Sequence, residues 1–262
     1  MGRPVVHFEI IGTAPATLQF VLDGHVEIAP ESGPPDTKTA PAPLAFEEIL
    51  EGHPMRSSVR ALEPTISLSI GTEAFLSLLA ENVELAEGMM RWIIESRAEL
   101  GSEVLIPGQL SAEVQRKAAS GLQAIDRVLL LQGSPLLRAA SGAQLLRFAA
   151  CARPVTLKAG ADPLAHVTEP SMLIVLTGTI TVTRPDGTRQ TADSGDTIGM
   201  YQALSGKPLG ATLSADGDST ALRFTRADLF DVLADETALI QSVFAGLLRA
   251  AERRAEEAAL AR

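Results

Sequence analysis

Residues 173–182 read LIVLTGTITV, and residues 19–28 read QFVLDGHVEI. Val175, Leu176 and Gly178 stand 154 positions after Val21, Leu22 and Gly24. The same step joins two further stretches. Leu50, Gly52, Pro54 and Ala61 of ILEGHPMRSSVRA (49–61) recur as Leu204, Gly206, Pro208 and Ala215 of ALSGKPLGATLSA (203–215). Leu79, Ala80 and Leu85 recur as Leu233, Ala234 and Leu239. One spacing shared by three separated stretches marks a duplicated domain.

Working outward, VLDG and VLTG end apolar runs at a glycine, where a strand turns. Asp186-Gly187 lies between β-rich stretches and signals a hairpin. ISLSI (66–70) and STALRF (219–224) alternate at period two, as half-buried strands do. The period then becomes helical. Phe75, Leu78, Leu79, Val83, Met89, Met90 and Ile93 fall on one apolar face, and Leu229, Val232, Leu233, Ile240, Val243, Phe244 and Leu247 fall on another. Asp228 suits a helix start. Each copy thus reads as strands, a tight Gly-Pro loop, more strands and a long closing helix.

Between the copies, Gly101, Pro107 and Gly108 indicate a linker. Helical spacing begins at Ser111 (Val114, Leu122, Ile125, Val128, Leu129) and breaks at Ser134-Pro135. A second short helix carries Leu145, Leu146 and Phe148. The expected layout is a first domain over 1–100, a linker and start of a helical lead-in over 101–121, and a second domain over 122–262. At the common offset Met1 corresponds to Val155, so the first copy is expected to lack the lead-in, either truncated or completed by other surfaces.

The totals bound the function. At roughly 150 residues per domain, 262 residues suggest two domains. Hydrophobic residues make up 46% and aromatics 4%, so cores of Leu, Val, Ile and Ala are expected. The net charge is -10 and no basic cluster is evident, which argues against nucleic acid as a partner. The single cysteine, Cys151, allows no intrachain disulfide and fits a reducing cytoplasm; in LLRFAACARP it reads as a small buried hydrophobe. No apolar stretch approaches the length of a membrane span. MGRPVVHFEI, interrupted by His7 and Glu9, lacks a signal-peptide layout.

The order of lead-in helix, IVLTGTITV, SGDTIG, SGKP and closing helix resembles the cyclic nucleotide-binding domain family, over about 122–250 and about 5–98. The resemblance implies an α+β, mainly β fold. It would hold two jelly-roll-like β-rolls, each closed by a C-terminal helix and joined by a helical linker. It also implies a phosphate cassette, approximately F-G-E-L/I-A-L-L-x-G-x-P-R-S/T-A-x-V, where Arg holds the cyclic phosphate and Glu the ribose hydroxyl. In IGMYQALSGKPLGAT, Gly199, Leu204, Gly206, Pro208, Ala211 and Thr212 fit this pattern. The Glu position holds Met200, followed by Tyr201, and the Arg position holds Leu209, followed by Gly210. A charge-assisted hydrogen bond contributes about 1.5–3 kcal/mol. Two lost contacts would therefore weaken binding on the order of a hundredfold to ten-thousandfold.

In the first copy the corresponding stretch is LAFEEILEGHPMRSS. Ala45 and Phe46 replace Gly and Glu, and Met55 replaces Arg. Arg56 comes one residue late, a slip that turns a strand side chain to the other face, and Ser57 and Ser58 follow it. Glu47, Glu48 and Glu51 would repel a phosphate. Cyclic nucleotide is therefore not expected as a ligand in either copy, and no cofactor is implied. Lys207 reads as a solvated loop residue.

Other features are weaker. His7, His25, His53 and His166 show no metal-ligand spacing. MGRPVVHFEI also resembles the first strand of the glyoxalase family, where His7 would ligate a metal. Asp193 and Asp196 suit turn chemistry. Leu233, Ile240 and Leu247 lie seven apart, as in a helical seam for a protein partner or a second copy; the alternative is packing on the chain's own roll. The sequence points first to a non-enzymatic regulatory module of the kind that serves transporters, kinases or larger bacterial assemblies. A small-molecule sensor with an apolar pocket of Met200, Tyr201, Leu209 and Ala211 stands beside it, as does a glyoxalase-like metalloenzyme.

Overall fold

The computed structural model describes residues 7–9, 12–118, 121–133, 137, 140–234 and 236–260, with backbone alone for 7–9, 98–99 and 256–260. The chain divides into two compact units, Met1–Glu81 and Asn82–Arg262.

The first unit runs β1 (His7–Glu9), β2 (Thr17–Asp23), β3 (His25–Pro30), β4 (Asp36–Thr39), β5 (Ala42–Leu44), α1 (Phe46–Glu51), β6 (Ser57–Ala61), β7 (Ile66–Gly71) and α2 (Thr72–Glu81). Its antiparallel sheets have the orders β1-β6-β3-β4 and β5-β2-β7. Alternation along the strands turns Val21, Val26, Ala42, Leu44 and Val59 inward as one apolar core.

The second unit opens with α3 (Val83–Ser96), α4 (Ala98–Ser102), β8 (Leu105–Ile106), α5 (Ala112–Ala118), α6 (Ala124–Gln132) and α7 (Gly142–Cys151). Its roll follows with β9 (Arg153–Leu157), β10 (Ser171–Thr177), β11 (Ile180–Thr183), β12 (Arg189–Ala192), β13 (Thr197–Ile198), α8 (Met200–Ser205), β14 (Thr212–Ala215) and β15 (Ser219–Thr225). Two helices close it, α9 (Arg226–Leu233) and α10 (Thr237–Leu260). The sheet orders are β8-β13-β10-β15-β9 and β12-β11-β14. Leu173, Val175, Ile180, Val182, Ile198 and Leu213 fill the roll. Ser171 to Leu176 are buried without alternation, because one face of β10 looks into the roll and α5 and α8 pack against the strand.

The expected α+β fold with two β-rolls is observed, and the common offset reaches the hydrogen-bond register. Gln19↔Leu44 in the first roll becomes Leu173↔Ile198 in the second. Val26↔Ala61 becomes Ile180↔Ala215. The register shift between Val21 and Asp23 returns between Val175 and Thr177.

The structure sharpens four readings from the sequence. The apolar face over 75–93 is not one helix: the chain breaks at Asn82, whose side chain accepts a hydrogen bond from the Leu85 N–H at 2.9 Å and starts α3 anew. The compact units divide between Glu81 and Asn82, and α3 packs on α8, α4, α9 and α10. The linker also contributes a strand, β8, to the second roll. Leu233, Ile240 and Leu247 are buried within the chain, as the alternative of packing on the chain's own elements has it. Ser134-Pro135 lies outside the described residues. Among those described, no helix is long and apolar enough to cross a membrane.

Candidate functional site

The cassette of the second roll begins where β13 ends. Gly199 sits at φ 76 and starts α8, and Gly206 at φ 74 ends it. A Cβ on Gly199 would stand 2.8 Å from the Leu209 Cδ1 and 3.0 Å from the Ser171 carbonyl oxygen, so glycine is favoured there sterically as well as conformationally. All residues of α8 are buried. Its last carbonyls are held by guanidinium groups: the Arg226 Nη1 donates to Ala203 O at 2.9 Å and to Leu204 O at 2.5 Å, and the Arg91 Nε donates to Ser205 O at 2.9 Å. Cations at a helix C-terminus are favourable against the peptide dipoles. Arg226 also pairs with Glu87 at 2.6 Å and lies 4.6 Å from the Phe230 ring centre.

The structure separates the residues that the sequence places in one apolar pocket. Met200 faces a gap lined by Phe148, Met172, Leu204, Leu229 and Val243, on the helical side of the cassette. Leu209 and Ala211 pack against the core of the roll and line a cavity of about 430 Å³ with Leu164, Val167 and Leu213. Neither Met200 nor Tyr201 lines that cavity. Gly210 (φ 67) keeps the loop in a left-handed turn, and Thr212 opens β14. Lys207 reaches Glu95 at 3.2 Å. Burial pushes the Tyr201 hydroxyl above its ordinary pKa, against a small opposing effect of Arg253.

Gln202 was not singled out from the sequence. It is 5% exposed, its Nε2 donates to the Gly101 and Glu103 carbonyls at 3.3 and 3.2 Å, and its buried Oε1 has no hydrogen-bond partner. It lines both the cavity beside Leu209 and a second one, about 370 Å³, with Gly101, Ser102 and Arg184. The available signal was a lone amide inside the apolar run MYQAL.

In the first roll Ala45 takes the Gly199 position at φ 63. Phe46 is buried with its ring 6.4 Å from that of Phe75. Met55 is buried, and its N–H donates to Thr13 O at 2.8 Å. Arg56 pairs at 2.9 Å with Glu51, a carboxylate from its own cassette helix. Ser57 and Ser58 lie on β6 opposite Pro30 and Ala29.

Elsewhere, His25 pairs with Glu63. The side chain of His7 lies outside the described residues, and among those described no three His, Cys, Asp or Glu side chains form a metal-binding group. Burial, followed by the charges of Asp228 and Asp231, raises the Cys151 thiol pKa and disfavours a thiolate.

Residues 155–236, from the first strand of the second roll to the end of its first closing helix, match the family model of the cyclic nucleotide-binding domain, and this stretch belongs to that family. No curated protein matches the chain. Among solved structures, similarity is found to the regulatory subunit of a cAMP-independent protein kinase A from Trypanosoma brucei (15% identity, 96% of this chain, 80% of that one, TM-score 0.36). It is also found to the N-terminal domain of a transcriptional regulator from Streptomyces coelicolor A3(2) (23%, 49%, 94%, 0.40). A third is the sensor domain of the transcriptional regulator DNR from Pseudomonas aeruginosa (24%, 55%, 95%, 0.40). With TM-scores below 0.5, these likenesses carry no weight for function.

Proposed function

We propose that the chain is a non-enzymatic, cytoplasmic regulatory module made of a tandem pair of cyclic nucleotide-binding-like rolls. On this reading neither roll grips cAMP or cGMP in the family's usual manner. The observation that carries it is Leu209. Its methyl group lies against Gly199 at the cassette turn, and its side chain belongs to the apolar packing of the roll. A buried phosphate needs a cation there. Two cations in the cassette stretches are engaged by carboxylates, Lys207 by Glu95 and, in the first roll, Arg56 by Glu51. Isothermal titration of the full chain with cAMP and with cGMP is expected to show no dissociation constant at micromolar level or tighter. A micromolar constant for either would overturn the reading.

A second reading, a sensor of a small molecule, is favoured by the cavity beside Leu209, where Leu164, Val167 and Ala211 meet the polar side chains of Asp162, Glu169 and Lys207. Its signature would be a thermal shift with such a molecule and none with a cyclic nucleotide.

A further inference from the structure

The second roll already holds an extended piece of its own chain at the cassette. Leu105 and Ile106 pair antiparallel with Ile198 and Thr197, adding a strand beside β13. The ladder continues into the cassette turn, where the Gly199 N–H donates to Val104 O at 2.8 Å. Gln202 donates to two earlier carbonyls of the same segment, those of Gly101 and Glu103. The Val104 side chain is buried among Leu173, Ile198 and Leu213 inside the roll.

Both ends of this strap are anchored. At one end Glu103, 8% exposed, pairs with Arg254 on α10. At the other, the Gly108 N–H donates to the Asp196 Oδ1 at 2.9 Å. The backbones there cross so closely that a Cβ on Gly108 would lie 2.2 Å from Gly195 O.

We propose that the cassette edge of the second roll is a peptide-binding site, and that residues 101–108 are its resident ligand. The site takes an extended segment by main-chain pairing to β13, reads its carbonyls with the Gly199 N–H and the Gln202 amide, and accepts a small branched side chain at the place of Val104. Release of the strap would detach Glu103 from Arg254 and so be felt by the closing helix. The inference deepens the regulatory reading above by naming a ligand class for the same cassette.

Hydrogen–deuterium exchange of the full chain, followed by mass spectrometry, tests it. In the unaltered protein, segments 100–108 and 195–199 are expected to exchange about tenfold or more faster than β10 and β15, through a local opening. Gly108→Ala should speed the strap and β13 a further tenfold or so while β10 and β15 stay protected. A synthetic peptide of residues 99–110 should then restore protection over 195–199. The proposal is overturned if strap and β13 exchange in step with β10 and β15 in the unaltered chain, or if the peptide protects nothing in a folded Gly108→Ala variant. If that variant does not fold, the exchange order in the unaltered chain decides. Nucleotide binding by titration would sink the functional reading without touching these exchange results.

Discussion

The two cassettes share a backbone and differ in what surrounds it. Each begins at a left-handed residue and wraps a short helix that ends at a left-handed glycine, Ala45 to Gly52 in the first roll and Gly199 to Gly206 in the second. Around the second lie Arg226 on the last carbonyls, Leu209 over the turn and the strap along the strand edge. At the matching positions the first roll has Thr72, Met55 and an edge strand that includes Pro43. Thr72 donates its hydroxyl to Pro15 O at 2.8 Å instead of capping α1. Proline has no N–H to offer, so it leaves a gap in any ladder formed on that edge. One turn-helix-turn backbone is thus packed differently in the two rolls.

The largest expected break in this contrast comes from Arg226→Thr, which gives the second roll the residue of the first. It removes two carbonyl contacts, the Glu87 pair and the stack on Phe230, and should destabilise the second unit by about 3 kcal/mol, read from urea unfolding. Gly199→Ala copies the other difference. It should cost about 2 kcal/mol, since a Cβ there meets Leu209 and the Ser171 carbonyl, whereas the converse Ala45→Gly should stabilise by about 0.5 kcal/mol by relieving a positive φ. Equal and opposite changes would show that the two turns are equivalent after all.

A pH effect sharpens the comparison, because the position held by exposed Glu47 in the first roll is held by buried Tyr201 in the second. The folded chain holds the Tyr201 proton more tightly than the unfolded chain does. Stability is therefore unaffected below the ordinary tyrosine pKa and declines as pH rises through and above it. Tyr201→Phe should remove that alkaline decline. As Tyr201 is the chain's single tyrosine, the phenolate absorbance of the unaltered protein tracks this group directly. The smallest effect is Lys207→Ala, expected at about 0.5 kcal/mol or less, because its pair with Glu95 is half exposed.

Local rules made much of this legible. The glycine turns after Leu22 and Leu176, the Asp186-Gly187 hairpin and the cassette glycines follow from single-residue backbone preferences, and the structure keeps them. The strap was hidden, because Leu105 and Ile106 are too short a run to read as a strand without β13 beside them. Gln202 was hidden for the same reason: its partners are carbonyls about a hundred residues earlier in the chain. The placement of Met200 away from Leu209 depends on which helices close over α8.

The sequence alone determined the common offset of the matching stretches and which residues stand at the two cassettes, since these depend on residue identity and spacing. Tertiary structure alone decided that α3 joins the second unit, that the apolar stripe of α9 and α10 is consumed inside the chain, and that residues 101–108 lie along the cassette edge. Those outcomes rest on which surfaces meet, and burial free energy is a property of the pair of surfaces rather than of either segment.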